Sequence, residues 1–232
     1  MKETADRLQI LEQEIVHCRK CPRLVEYREK VAREKRRAFR EWTYWGRPVP
    51  GFGDPRAELF ILGLAPAAHG ANRTGRVFTG DRSGEFLFAA LHQAGFANQP
   101  TSLRRDDGLK LTNAFIAATV RCAPPANQPL LSEMLHCRGY LERELALVRP
   151  KVVLALGRIA WDGYLDILKS AGVIASRAKF VFAHGALAEL PGGLPWMVGV
   201  YHPSQQNTQT GKVTAEMYAA VLDRIKQLLN QG

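Results

Sequence analysis

The sequence predicts an α/β protein in three layers, αβα, with a central four-stranded parallel sheet. Apolar runs of strand length recur at 59–62, 111–120, 152–156 and 196–201, with a weaker fifth at 180–183. Stretches of helical pattern alternate with them at 83–95, 132–148, 159–169 and 213–229. Runs apolar on both faces and separated by helices belong in a parallel sheet covered on both sides. Polar segments at 63–82, 121–129 and 202–204 follow three of the runs. They therefore gather beyond the carboxyl ends of the strands, where sheets of this kind bind ligands.

Each element has its own justification. Residues 3–17 place Leu8, Leu11 and Ile15 at helical spacing, with Thr4 as the expected N-cap. Gly46 to Pro55, rich in glycine and proline, reads as loop. Lys151 to Gly157 is the clearest buried central strand. With 232 residues, 46% hydrophobic, and no break in composition, repeat or low-complexity tract, one domain over 1–232 is expected. Residues 1–50 differ in being helix-forming and basic, and read as an extension packed on that domain.

The 32 Lys and Arg outnumber the 22 Asp and Glu, for a net charge of +10, which favours a polyanionic partner such as nucleic acid. Arg28, Lys30, Arg33, Lys35, Arg36, Arg37 and Arg40 crowd together ahead of Trp42, Tyr44, Trp45 and Arg47. This stretch is expected to contact phosphates, with its aromatics anchoring a loop to the core. No run approaches the ~20 apolar residues of a membrane span, and Met1 to Asp6 lack an apolar signal region. A cytoplasmic protein with reduced thiols is expected.

Cys18 and Cys21 stand in Cys-x2-Cys spacing, with Cys122 and Cys137 the only other cysteines. Four thiols in a reducing compartment, one pair at ligand spacing, suggest a four-thiolate metal site tying the N-terminal helix to the helix at 133–147. Ligand count does not separate zinc from an iron–sulfur cluster. Neither Gly-x-Gly-x-x-Gly nor a Gly-x4-Gly-Lys-Ser/Thr loop is present.

The connection from Gly63 to Asp81 reads Gly-Leu-Ala-Pro-Ala-Ala-His-Gly-Ala-Asn-Arg-Thr-Gly-Arg-Val-Phe-Thr-Gly-Asp. An ordinary β-to-α connection takes about two to six residues. This one is far longer and collects an aromatic ring, a carboxylate, an imidazole and an amide, the composition of a pocket for a flat polar ring.

That run, His202-Pro203-Ser204 and the cysteine quartet together resemble the uracil-DNA glycosylase superfamily, specifically its family 5 (type b). The resemblance extends from about Cys18 to the last helix. It implies a four-stranded parallel sheet flanked by helices and a [4Fe–4S] cluster on Cys18, Cys21, Cys122 and Cys137. It also implies a monofunctional enzyme of base-excision repair that extrudes uracil or another deaminated base from double-stranded DNA and hydrolyses its bond to deoxyribose. A monomer is expected. The alternative class is a non-catalytic DNA-binding protein sensing redox state through its cluster; a zinc-stabilised nuclease is disfavoured by the scarcity of clustered carboxylates.

Residue by residue, the resemblance implies that Phe78 stacks on the flipped base and His202 donates to a base carbonyl. Asn113 would read the base edge, and Asn127 is a second asparagine close to the pocket. Gly63, Ala65, Ala67, His69, Asn72 and Ser204 complete the expected substrate contacts. Many superfamily members carry a polar water-orienting side chain where this chain has Leu64 and Ala65. Asp81 is then the nearest carboxylate for the water, or else the N-cap of the following helix. Residues 205–212, where the superfamily inserts a wedge into the base stack, contain no Leu or Phe, so polar side chains would have to fill the vacated space. Lys212 and the helix start after it suit a phosphate.

Overall fold

The computed structural model describes residues 2–231, Lys2 by its backbone alone. Met1 and Gly232, the two ends of the single domain expected over 1–232, lie outside the described residues. The strands are β1 (Phe52–Gly53), β2 (Leu59–Gly63), β3 (Ala114–Ala118), β4 (Val152–Leu156), β5 (Leu187–Ala188) and β6 (Trp196–Val200). They lie in the order β1-β3-β2-β4-β6-β5. The four central strands are parallel, as expected, but β1 and β5 add short antiparallel pairings at the two edges, so the sheet as a whole is mixed.

Alternation along the strands divides the core. Leu59, Ile61, Ile116, Leu154 and Val198 face one layer, where α4 (Arg82–Gln93) and α8 (Ala215–Leu229) contribute Leu87, Phe88, Leu222 and Ile225. Phe60, Leu62, Phe115, Val153 and Met197 face the other, where α5 (Leu131–Val148) and α6 (Arg158–Ser170) contribute Leu141, Trp161 and Leu165. Burial of both faces is what made these strands read as unbroken apolar runs.

Two expected elements differ. The run at 111–120 is a strand only over 114–118, because Asn113 takes φ +53° and ends the extended backbone on that side. The run at 180–183 forms no strand. Phe182 packs edge-on against Trp161, the Phe180 carbonyl accepts from Trp161 Nε1 at 3.0 Å, and β6 pairs instead with 187–188.

At the N-terminus, α1 (Lys2–Val16) starts ahead of Thr4, which therefore lies inside the helix and does not cap it. Leu11 and Ile15 pack against Tyr140 of α5. α2 (Pro22–Glu34) follows, and Arg23 forks onto Glu133 of α5 at 2.8 and 2.7 Å. Arg121, beyond β3, pairs bidentately with Glu144 of α5 at 3.1 and 2.6 Å, both side chains fully enclosed. Among the described residues, no helix is long and apolar enough to cross a membrane.

Candidate active site

β2 ends at Gly63 and α4 does not begin until Arg82, and two buried guanidinium groups shape the loop between them. Arg76 donates through Nε to Thr79 Oγ1 at 2.9 Å and through Nη2 to Ser102 Oγ at 2.9 Å and both Asp107 oxygens at 2.8 Å. Arg73, in the one-turn helix α3 (Ala71–Thr74), donates to the carbonyls of His69 and Gly80, each at 2.8 Å. Its guanidinium also lies over Phe39 and Trp42, 3.9 and 4.1 Å from their ring centres. Tyr44 is buried and shares a 3.0 Å hydrogen bond with His69 Nδ1, and Trp45 bonds the Pro48 carbonyl. The aromatics after the basic run therefore brace this loop, as expected of anchors.

Clamped in this way, Phe78 takes φ +49°, a conformation a bulky side chain avoids unless its surroundings impose it. Its ring lies over Gly63, where a Cβ would stand 2.7 Å from the ring, so only glycine fits beneath it. The ring of His202 is tilted by 34° to that of Phe78, with centres 6.0 Å apart. Burial lowers the His202 pKa to about 4, so the imidazole is neutral at neutral pH and retains one N–H to donate.

A cleft of about 700 Å³ is lined by Ala67, His69, Asp81, Asn127, Arg36 and Gln205 among others; Phe78 and His202 are not among its lining residues, though Gly80 and Asp81 follow Phe78 closely in the same loop and Gln205 follows His202 by three residues. Asp81 is the N-cap of α4, its Oδ1 accepting from the Gly84 amide at 2.9 Å. Its other oxygen lies against Gly70, whose missing Cβ leaves it room. Burial pushes the Asp81 carboxyl up, while the Gly84 and Ser83 amides and the nearby Arg73 pull it down. Asn127 is exposed on the facing loop at φ +57°, directly after Ala126 at φ +53°. Burial lowers the His69 pKa, and Arg36 and Arg73 push the same way.

Residues 50–226 match the family model described as the uracil DNA glycosylase superfamily. The chain belongs to that superfamily. It is 51% identical over 220 residues to the type-5 uracil-DNA glycosylase of Mycobacterium leprae, 94% of each chain. It is 49% identical over 217 residues to that of Thermus thermophilus, covering 93% of this chain and 95% of the relative. A type-4 uracil-DNA glycosylase of Archaeoglobus fulgidus is 30% identical over 159 residues, 67% of this chain and 70% of its own.

Within this superfamily member, several expected substrate contacts have other positions. Asn113 precedes β3 at the amino end of the strands, the length of a strand (about 16 Å) from the cleft. Its side chain accepts from the Glu58 amide at 2.8 Å and donates to the Glu58 carboxylate at 3.0 Å, so it ties the starts of β2 and β3 together and reads no base. Asn72 is wholly buried, its amide donating to the carbonyls of Arg28 and Ala68, with Oδ1 unpartnered. Ser204 caps α7 (Gln205–Gln209), its Oγ accepting from the Asn207 amide at 3.2 Å. Ala65 packs on the cysteines, and Ala67 alone of the loop's expected small contacts lines the cleft.

Cys21, Cys122 and Cys137 share one buried cluster with Leu24 and Val120, and Cys18 packs beside Tyr140 at its margin. Arg28, counted among phosphate-contacting residues from sequence, is instead buried here. Its Nη1 donates to Cys122 Sγ at 2.8 Å, its Nη2 to the Cys18 carbonyl at 3.2 Å, and its Nε has no partner. Among the described residues, no three His, Cys, Asp or Glu side chains stand together as ligands of one metal ion. Arg36, Arg37 and Arg40 are exposed and carry no ion pair among the described residues. Sequence reasoning missed Arg73 and Arg76, and Tyr44 as the partner of His69.

Two outcomes are expected. Asn113→Ala removes two hydrogen bonds and places alanine at positive φ, lowering stability in a urea melt by about 2 kcal/mol while leaving kcat unchanged. His202 binds a proton near pH 6.5 when unfolded but only near 4 when folded. Stability should therefore fall as pH drops through that window and level off below it, and His202→Gln should lose that slope in melts across pH.

Proposed function

We propose that this chain removes uracil from DNA in base-excision repair, hydrolysing the N-glycosidic bond and leaving an abasic site. Other deaminated bases are accepted, the substrate is double-stranded, and the enzyme works as a cytoplasmic monomer with a [4Fe–4S] cluster. The observation that carries the reading is Phe78, held at φ +49° on Gly63 with a neutral imidazole beside it. A strained aromatic maintained next to a desolvated donor is costly for mere DNA binding, which disfavours the non-catalytic alternative. Its use is to receive a flat base swung out of the duplex.

As the glycosidic bond breaks, negative charge moves onto the base and positive charge onto the sugar. The His202 N–H stabilises the departing base at its carbonyl oxygen; a neutral imidazole keeps one N–H for this donation. Asp81, more basic than an ordinary carboxylate because of its burial, holds the attacking water on the sugar side, with the Asn127 amide facing it across the cleft. Leu64 and Ala65 have no hydrogen-bonding side chains and do not line the cleft, so neither supplies a polar contact that would select one deaminated base over another. Among the described residues no lysine lines the cleft, in keeping with hydrolysis without strand cleavage.

The donor set suits a cluster held by Cys18, Cys21, Cys122 and Cys137. Arg28 is a buried cation that no carboxylate approaches more closely than Glu29 at 4.0 Å, and it donates directly to a cysteine sulfur. A buried charge without a counter-charge is strongly destabilising, and thiolates would supply one. The cluster's contribution is to fasten α1 and α2 to β3 and α5.

Purified protein should release free uracil from a U·G duplex and leave the strand intact until alkali is added; an undamaged duplex after prolonged incubation would overturn the reading. Phe78→Ala should abolish release while retaining DNA affinity. Asp81→Asn keeps the capping oxygen, so turnover should fall about 100-fold with little change in melting temperature. The protein should be brown, absorbing near ~400 nm, with iron and not zinc in the metal analysis.

A further inference from the structure

We propose that Leu130 and Leu131 are the wedge that fills the DNA base stack when the lesion nucleotide leaves it. This rests on the glycosylase reading above. Extruding a base opens a gap in the duplex, and apolar side chains inserted between base steps offset the lost stacking. The segment after His202 does not serve. It folds into α7, where Asn207 bonds the His202 carbonyl and Thr208 and Thr210 bond carbonyls of their own turn. Gln205, Gln206 and Gln209 are its exposed side chains, and it carries no apolar group.

The other flank of the cleft does carry one. Leu130 is 51% exposed, Leu131 70%, and Leu135, one helical turn further on the same face, 50%. Asn127 lines the cleft together with Asp81 and Gln205, and Leu130 follows it by three residues, at most ~10 Å of chain. Leu130 therefore stands no further than about 10 Å along the chain from a residue that lines the cleft, although neither leucine lines it.

They are also rigidly presented. Pro124, Pro125 and Pro129 restrict the loop, and Ala126 and Asn127 sit at positive φ, held by bonds from the Asn127 amide to Pro124 and from the Gln128 amide to Pro125. Leu130 is fixed through its own amide, which donates to Glu133 at 2.7 Å, and Glu133 is gripped by Arg23, which also bonds the Gln128 carbonyl. A buried carboxylate and a guanidinium thus lock two leucines in solvent. Preorganised apolar side chains three residues beyond a cleft-lining asparagine, in a chain of net charge +10, suit the stacked bases beside a lesion.

The test is the double variant Leu130→Ala/Leu131→Ala, whose exposed side chains leave the fold intact by thermal melt. Its release of uracil from U·A duplex should fall about tenfold or more, from U·G duplex less, and from single-stranded DNA not at all, because a mispaired or unpaired base costs least to extrude. Methionine at both positions should restore the duplex rate. 2-Aminopurine beside the uracil should brighten when the parent binds a duplex and not when the double variant does, a measure of unstacking independent of base release. Equal losses on duplex and single strand would overturn the proposal, as would unaltered fluorescence and release, which would leave the leucines to a protein partner. If the parent releases no uracil, the glycosylase reading fails and the fluorescence comparison alone decides the wedge.

Discussion

The cleft depends on two guanidinium groups buried beneath a loop. Arg76 has a carboxylate partner in Asp107, an ordinary solution to a buried charge. Arg73 has none in contact; it is held by two carbonyls and by the faces of Phe39 and Trp42. A desolvated cation over two rings gains about 2 kcal/mol or more per good contact. The carbonyls it gathers, at residues 69 and 80, bring His69 and Gly80 together and so set where Asp81 begins α4. Loop shape, carboxylate position and the N-terminal aromatics are therefore one mechanical unit.

The core strands were legible because a strand buried on both faces leaves an unmistakable apolar run, as at 152–156. Boundaries failed where one backbone conformation overrode composition. Leu111 and Thr112 suit a strand, but Asn113 at positive φ delays it to 114. The same residue was misread as base-reading because an asparagine beside a strand does not reveal which end of the sheet it occupies. Parallel strands have chemically different ends, and only the register of β2 with β3 settles which is which.

The arginines were illegible for a different reason. In a chain with so many exposed cations, nothing in the sequence separates Arg28, Arg73, Arg76 and Arg121, all buried, from Arg36, Arg37 and Arg40, all exposed. Burial of a guanidinium is decided by partners distant in sequence: Cys122 for Arg28, Asp107 for Arg76, Glu144 for Arg121. Phe78 and Asp81, by contrast, stand within an unusually long glycine-rich connection, and that local setting could be read.

The position of Asp81 answers the lack of any polar side chain at Leu64 and Ala65. Ala65 packs against the cysteines, so a larger polar group there would have to enter that buried cluster or displace the loop. A carboxylate reaching the same cleft must come from elsewhere, and the start of α4 can support one. Backbone amides at a helix N-terminus favour an anion, while burial makes that anion more basic than it would be in water. Gly70 leaves space for its second oxygen and the Gly84 amide fixes the first. One oxygen of this carboxylate is thus committed to capping α4, and the other is left free of that duty, which is what the proposed water-holding role requires.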